Sequence, residues 1–174
     1  MIETERLSLR PPVPEDAPTV AEAIADAEVM RFIGETGTID DAVERVESAR
    51  RAWSEDGFGP FIVIRKSDRA PLGRVGLLAW DPATWRIGLR SEIGEGSEIE
   101  LGWTLSRHAW GFGYATEAAA AVRDWALCEV RPARLISLIH AENERSMRVA
   151  TKIGEHFSHT ITTHRGMQAQ LWTF

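Results

Sequence analysis

Apolar and polar residues alternate along this chain in two rhythms, and each change of rhythm marks an element. Leu7 and Leu9 alternate with Arg6, Ser8 and Arg10 until Pro11-Pro12 closes the run, which predicts a short first strand. Pro14-Glu15-Asp16 carries the proline and acids of a helix start, continued by Ala17 to Ala25. A short second helix is expected from Ala27 to Phe32, stopping at Gly34. Thr38, with Asp41 three residues on, predicts the cap of a third helix, with Val43, Val46, Ala49 and Trp53 toward the core. Phe61–Ile64 and Leu72–Trp80 read as a hairpin around Ser67–Ala70. From Asp81 to Ser97 the alternation of Trp85, Ile87 and Leu89 predicts a short strand before the loop Gly94-Glu95-Gly96.

The segment from Ile99 to Ile153 has the firmest pattern. A strand over Glu98–Leu105 runs into a glycine-rich turn, and an alanine-rich helix is expected from about Thr116 to Cys128. After Pro132 come a strand over Arg134–His140, a turn containing Asn143 and a helix over Ser146–Ile153. His156–Thr163 and Met167–Phe174 read as a last hairpin around His164-Arg165-Gly166. The order is α+β. Its one strand-helix-strand crossover makes Glu98–Leu105 and Arg134–His140 parallel if they share a sheet.

A chain of 174 residues is expected to be one domain, 1–174. Its net charge of −6 argues against a general nucleic-acid binder. Cys128 is the one cysteine, so no intrachain disulfide forms, and its helical setting reads as a buried small hydrophobe. The start MIETERL lacks the apolar core of a signal peptide, and no apolar run approaches membrane-span length. A cytoplasmic protein that meets no membrane is expected. His156, His159 and His164 do not match a zinc spacing, and no metal is expected.

The turn Trp110-Gly111-Phe112-Gly113-Tyr114-Ala115 has chemical promise. Two glycines remove Cβ atoms that would block approach, and the helix behind adds unpaired N–H groups and a positive dipole end. Such a site holds an anion such as a phosphate or pyrophosphate. It lacks the Gly-Lys-Ser/Thr ending of a Walker loop and the three-glycine spacing of a dinucleotide fingerprint.

WGFGYATEA followed by AENERSMRVATKIG resembles the acyl-CoA loop and following elements of the GCN5-related N-acetyltransferases. TERLSLRPPVPEDA and AEVMRFIG extend the likeness over nearly the whole chain. The nearest branch is similar to the ribosomal-protein alanine acetyltransferases. The resemblance implies a mixed, mostly antiparallel sheet flanked by helices, whose central parallel strands splay apart to admit the pantetheine arm. It implies acetyl-CoA as acyl donor and an amine as acceptor, either a protein N-terminus or a small molecule. Cofactor contacts are expected from the N–H groups of Trp110, Gly111, Phe112, Gly113, Tyr114 and Ala115, with Thr116 at the helix start. The backbone of Trp103, Thr104 and Leu105 and the side chain of Asn143 are expected to meet pantetheine. Asn143 is equally a good helix N-cap. The first two helices are expected along the acceptor cleft, with Met30, Arg31 and Phe32. A non-catalytic acyl-CoA sensor is the rival reading, because Ala150 stands where relatives carry a catalytic tyrosine.

Acetyl transfer needs a base for the amine proton, a polarised carbonyl and, if the thiolate needs help, an acid. Glu100, on a strand face with Glu98 and Gly102, is the first candidate base, though a solvated face or an ion pair fits it as well. His140 at the end of the other parallel strand is the competitor. Ser146, three residues after Asn143, is the candidate acid, and the same residue is an ordinary helix-start serine. A homodimer through the last strands is a further expectation, since a sheet edge can pair with its copy.

Overall fold

The computed structural model describes residues 1–164 and 166–174. Among them nine strands form one sheet: β1 (Ile2–Glu3), β2 (Leu7–Arg10), β3 (Pro60–Arg65), β4 (Pro71–Asp81), β5 (Arg86–Gly88), β6 (Glu98–Leu105), β7 (Leu135–His140), β8 (His156–Thr162) and β9 (Gln168–Thr173). The order is β1-β2-β3-β4-β6-β7-β9-β8, with β5 beside β4. Every pairing is antiparallel except β6 with β7. A helix intervenes between those two, and a strand that returns through a crossover arrives in the same direction. Their ladder holds only at Ile99–Leu135 and Glu100–Ile136, and beyond Glu100 the strands separate.

The helices are α1 (Ala17–Ala25), α2 (Ala27–Met30), α3 (Ile39–Glu55), α4 (Arg90–Ile93), α5 (Tyr114–Trp125) and α6 (Glu144–Lys152). Ala118, Ala119 and Val122 of α5 pack on one sheet face, against Val75, Leu77, Ile99, Leu101 and Leu105. Small side chains let this helix lie close to the strands. On the other face α1, α2 and α3 bury Val20, Ile24, Met30, Ala42 and Val46 over Ile62. Ile136, Ile161, Ala169 and Leu171 form a smaller cluster beyond the fork.

The cap of α3 forms as its sequence predicts: Asp41 accepts from the Thr38 N–H at 2.7 Å, and Thr38 Oγ1 accepts from the Asp41 N–H at 3.3 Å. Three expectations need correction. Val43 is 45 % exposed, because Ala42 takes the buried stripe that also holds Val46 and Ala49. The segment before β6 contains α4 as well as the expected strand; the Asp56 carboxylate accepts from the Arg90 and Ser91 N–H groups at 2.7 and 2.9 Å and fixes the start of α4. Cys128 is exposed. The end of the long helix loosens into a π-helical turn over Ala126–Val130, and the changed residue spacing turns Cys128 out of the stripe that Ala126 continues. Arg165, in the expected last turn, lies outside the described residues. Among the described residues no helix is long and apolar enough to cross a membrane.

Candidate active site

Two features meet at the opening between β6 and β7: an anion cradle at the start of α5, and a pair of buried carboxyls at the fork. The cradle follows from backbone geometry. Gly111 and Gly113 have φ of 84° and 81°, where a side chain is strained, so the chain can turn sharply into the helix. Gly113 is the N-cap, and α5 starts at Tyr114, two residues before the expected Thr116. The first helical hydrogen bond is Glu117 N–H to Gly113 O at 3.0 Å. The N–H groups of Tyr114, Ala115 and Thr116 therefore sit in the first turn, where no intrahelical partner exists. The Trp110 N–H is already given to Arg107 O at 3.1 Å, which removes it from the expected donors. Its ring is held instead: Nε1 donates to Leu105 O at 2.9 Å, and the Arg145 guanidinium lies 4.2 Å from the ring centroid.

Two residues that sequence reading passed over lock this cradle. Glu117 accepts from Thr4 Oγ1 at 2.6 Å, Arg6 N–H at 2.9 Å and Arg6 Nε at 2.7 Å. Arg6 Nη1 donates to Phe112 O at 2.9 Å. Burial raises the Glu117 carboxyl, but these donors outweigh it and hold it below its ordinary value.

The strand edge has a definite polarity. Ser106 N–H donates to Leu72 O in β4, so alternation turns the main chain of Trp103 and Leu105 the other way, toward β7. Thr104 stands in register with Arg74 and turns its main chain to β4, contrary to expectation. With Leu105 O taken by the Trp110 ring, the open groups are those of Trp103 and the Leu105 N–H.

Asn143 is the N-cap of α6, its Oδ1 accepting from the Ser146 N–H at 3.1 Å. Trp103 Nε1 donates to Ser146 Oγ at 3.2 Å, which brings Ser146 onto the β6 edge. Ala150 is fully buried.

Glu100 is 8 % exposed at the last β6–β7 pair, so the solvated-face reading is set aside. Trp80 Nε1 donates to Glu100 Oε2 at 2.6 Å. Burial pushes its carboxyl up to about 7, against the pull of Trp80, the Leu138 N–H and the positive charge of Arg74. Gly102 lies beside it on the same face; a Cβ there would stand 3.7 Å from Glu100 Oε1. A second buried carboxyl, Glu155, contacts Ser137 Oγ at 2.9 Å. Burial pushes it up to about 7 as well. No local pattern announces it, since a Glu after Lys152-Ile153-Gly154 reads as a solvated turn.

His140 is half-buried, and its ring stacks on Phe32 at 5.2 Å. Its Nδ1 accepts from the Glu142 N–H at 3.2 Å. Phe32 thus brings the end of α2 to the end of β7. Arg31 lies over the Phe32 ring at 5.0 Å, and Arg145 pairs with Glu28. Met30 is 2 % exposed in the core under α1 and α3 and lines no cleft. Glu22, Asp26 and Glu28 rim an open hollow with Arg107, which pairs with Asp26 at 2.9 Å.

With this geometry in hand, comparison with known proteins gives one consistent answer. The pattern of the Acetyltransferase (GNAT) domain family matches residues 6–156, and the chain belongs to that family. It is 30 % identical over 161 residues to the protein YkkB of Bacillus subtilis (strain 168), covering 91 % of this chain and 86 % of that one. An acetyltransferase structure from Agrobacterium tumefaciens str. C58 superposes with a TM-score of 0.80 at 25 % identity, covering 99 % of this chain and 92 % of its own. The aminoglycoside acetyltransferase AAC(6′)-Ib, solved in complex with coenzyme A, shares the fold with a TM-score of 0.76 at 16 % identity. That match covers 97 % of this chain and 94 % of the other.

Proposed function

We propose that this acetyltransferase moves an acetyl group from acetyl-CoA to a primary amine, by direct attack of the neutral amine on the thioester. The observation that carries the reading is Glu100: a carboxyl buried at the fork of the β6–β7 opening, with Trp80 as its ion-free partner. A carboxylate whose proton affinity lies near neutrality accepts an amine proton and releases it again at physiological pH. Glu100 is the base in this reading, and His140, stacked on Phe32, is a wall of the acceptor side.

The first-turn N–H groups from Gly113 to Thr116, with Gly111 and Phe112, take the pyrophosphate. The Trp103 main chain and the Asn143 side-chain amide take pantetheine, and the Trp103 N–H side of the opening polarises the acetyl carbonyl. Support for CoA as donor comes from the AAC(6′)-Ib complex, a relative in fold that binds coenzyme A. Ser146 contributes a hydroxyl beside the sulfur.

For the acceptor, a protein or peptide N-terminus is the first reading, and a small polyamine or aminoglycoside is the second. At the rim of the α1–α2 hollow Asp26 is paired with Arg107 and Glu28 with Arg145, so the charge there does not choose between the two. β8 is the last strand of the sheet, and its edge is the proposed surface for a homodimer.

Calorimetric titration with acetyl-CoA, followed by thiol release against peptides and small amines, tests the reading. Binding with a Kd of roughly tens of micromolar or tighter and release on one acceptor class are expected. Binding without release on any amine favours the sensor reading that the buried Ala150 keeps open. No binding removes the cofactor assignment.

A further inference from the structure

Across the sheet from Glu100 stands a buried carboxyl that the mechanism above does not use and that, unlike Asp16 with Arg10, has no cationic partner among the described residues. Glu155 is 4 % exposed, its N–H donates to Ala150 O at 3.0 Å, and its Oε2 is buried with no partner among the described residues. Its Oε1 lies 2.9 Å from Ser137 Oγ, and the same Ser137 oxygen lies 2.7 Å from Leu101 O. A hydroxyl has one proton, and a carbonyl oxygen only accepts. When Ser137 donates to Leu101, its contact with Glu155 is a hydrogen bond only if Glu155 carries the proton. Burial acts in the same direction and outweighs the pull that a donating Ser137 exerts, and the negative charge of Glu100 adds to it.

Position gives this proton a use. Leu101 is the first β6 residue past the last β7 pair, so the Ser137–Glu155 contact stands at the fork itself. Glu100 pairs with Ile136 and shares its face, while Ser137, the next residue of β7, projects from the opposite one. That opposite face carries α5, whose N-terminus is the phosphate cradle, and Ser146 against Trp103. The two carboxyls thus flank the fork from the acceptor side and from the CoA side. The Ser137 hydroxyl stands between Glu155 and the Leu101 carbonyl, one residue along β6 from Glu100.

We propose that Glu155 is the proton donor to the departing CoA sulfur, supplying from the far face of the sheet what Ala150 has no group to give. The proposal rests on the acetyl-transfer reading above. The amine nitrogen bonds to the acetyl carbon and gives its proton to the Glu100 carboxylate. The carbon–sulfur bond breaks, its electron pair goes to sulfur, and sulfur takes the proton of Glu155. The turnover leaves Glu100 protonated and Glu155 ionised, and exchange of one proton through water restores both. The two carboxyls are coupled: while Glu100 is ionised, its charge keeps the proton on Glu155.

The test compares Glu155→Gln with Glu155→Asp, reading thiol release in a single turnover beside the Kd for acetyl-CoA and the melting temperature. Gln keeps the length and the hydrogen bond to Ser137 but has no acid; Asp keeps the acid on a shorter arm. A proton donor predicts that Gln loses about 100-fold in the chemical step while Asp keeps a tenth or more of the wild-type rate, with Kd for acetyl-CoA within twofold in both. A Gln variant as fast as Asp, or faster, overturns the proposal and leaves Glu155 a packing residue. The wild type gives a second reading should both variants fail to fold. Its rate depends weakly on the acidity of the leaving thiol across acetyl thioesters if sulfur is protonated as it leaves; a steep dependence overturns the proposal. Failure of the underlying reading looks different: the wild type would release no thiol, or Glu100→Gln would release it at the wild-type rate.

Discussion

Glu100 shows how a single side chain acquires chemistry from partners far away in sequence. Strand alternation puts it on a face with Gly102, and that much is legible in the residues themselves. Its burial and its bond to Trp80 are not, because β4 supplies them from 20 residues away. The sign of the pH effect follows from those partners. Glu100 must be ionised to accept a proton, so kcat/KM is expected to rise with pH toward about 7; with Glu155 as the acid, loss of its proton turns the profile down again above about 7. Arg74→Met removes a positive charge that favours the carboxylate, and the rising limb should then move to higher pH. Rate–pH profiles of both proteins check this; an unmoved limb would separate Arg74 from the base. Gly102→Ala tests the space around the carboxyl. Its methyl would stand 3.7 Å from Glu100 Oε1, in the room an incoming amine needs. A fall in kcat/KM of about tenfold, with acetyl-CoA affinity unchanged, is the expected result.

Among the elements, the turn into α5 was the most legible from sequence, and the reason is physical. A residue forced to positive φ beside a helix start is a local feature, carried by Gly111 and Gly113 themselves. The strands from β3 to β7 were legible for the same cause, since period-two alternation is local. What escaped are contacts between distant segments. The Arg6–Glu117 lock spans 111 residues, and α4 depends on Asp56 lying 34 residues before its first N–H. Cys128 and Val43 were misplaced because helical periodicity does not reveal where a helix loosens or which flank of its stripe is buried. The lock has a consequence for binding. Arg6→Ala frees the Phe112 carbonyl and leaves Glu117 with fewer donors, so the cradle must be ordered by the ligand. The Kd for CoA is expected to rise about tenfold, a cost of roughly 1.4 kcal/mol. Thermal unfolding of the apo protein should change little, since Arg6 is 44 % exposed in this pair. Titration calorimetry on CoA decides it, and an unchanged Kd would make the lock a fastening of β2 alone.

The whole molecule carries two carboxyls that a fold built for stability alone would not bury. Both are pushed from an ordinary value of 4.5 up to about 7, Glu100 by burial and Glu155 by burial and the charge of Glu100. Between those limits the folded chain holds protons that the unfolded chain has released. Stability therefore falls as pH rises from about 4.5 to 7, by up to roughly 3 kcal/mol for each group. Surface carboxylates act in the opposite direction and lower down: Asp68, held at about 2 by its bond to Arg65, contributes stability that is lost only as pH falls through that value. The melting temperature is thus expected to be higher at pH 5.5 than at pH 8. Glu155→Gln replaces one titrating group with a neutral amide of the same shape, so its melting temperature should vary less over that range. If the variant keeps the full wild-type slope, Glu155 is ionised in the folded protein throughout. The fork of the sheet would then hold two charges where the geometry of Ser137 calls for one.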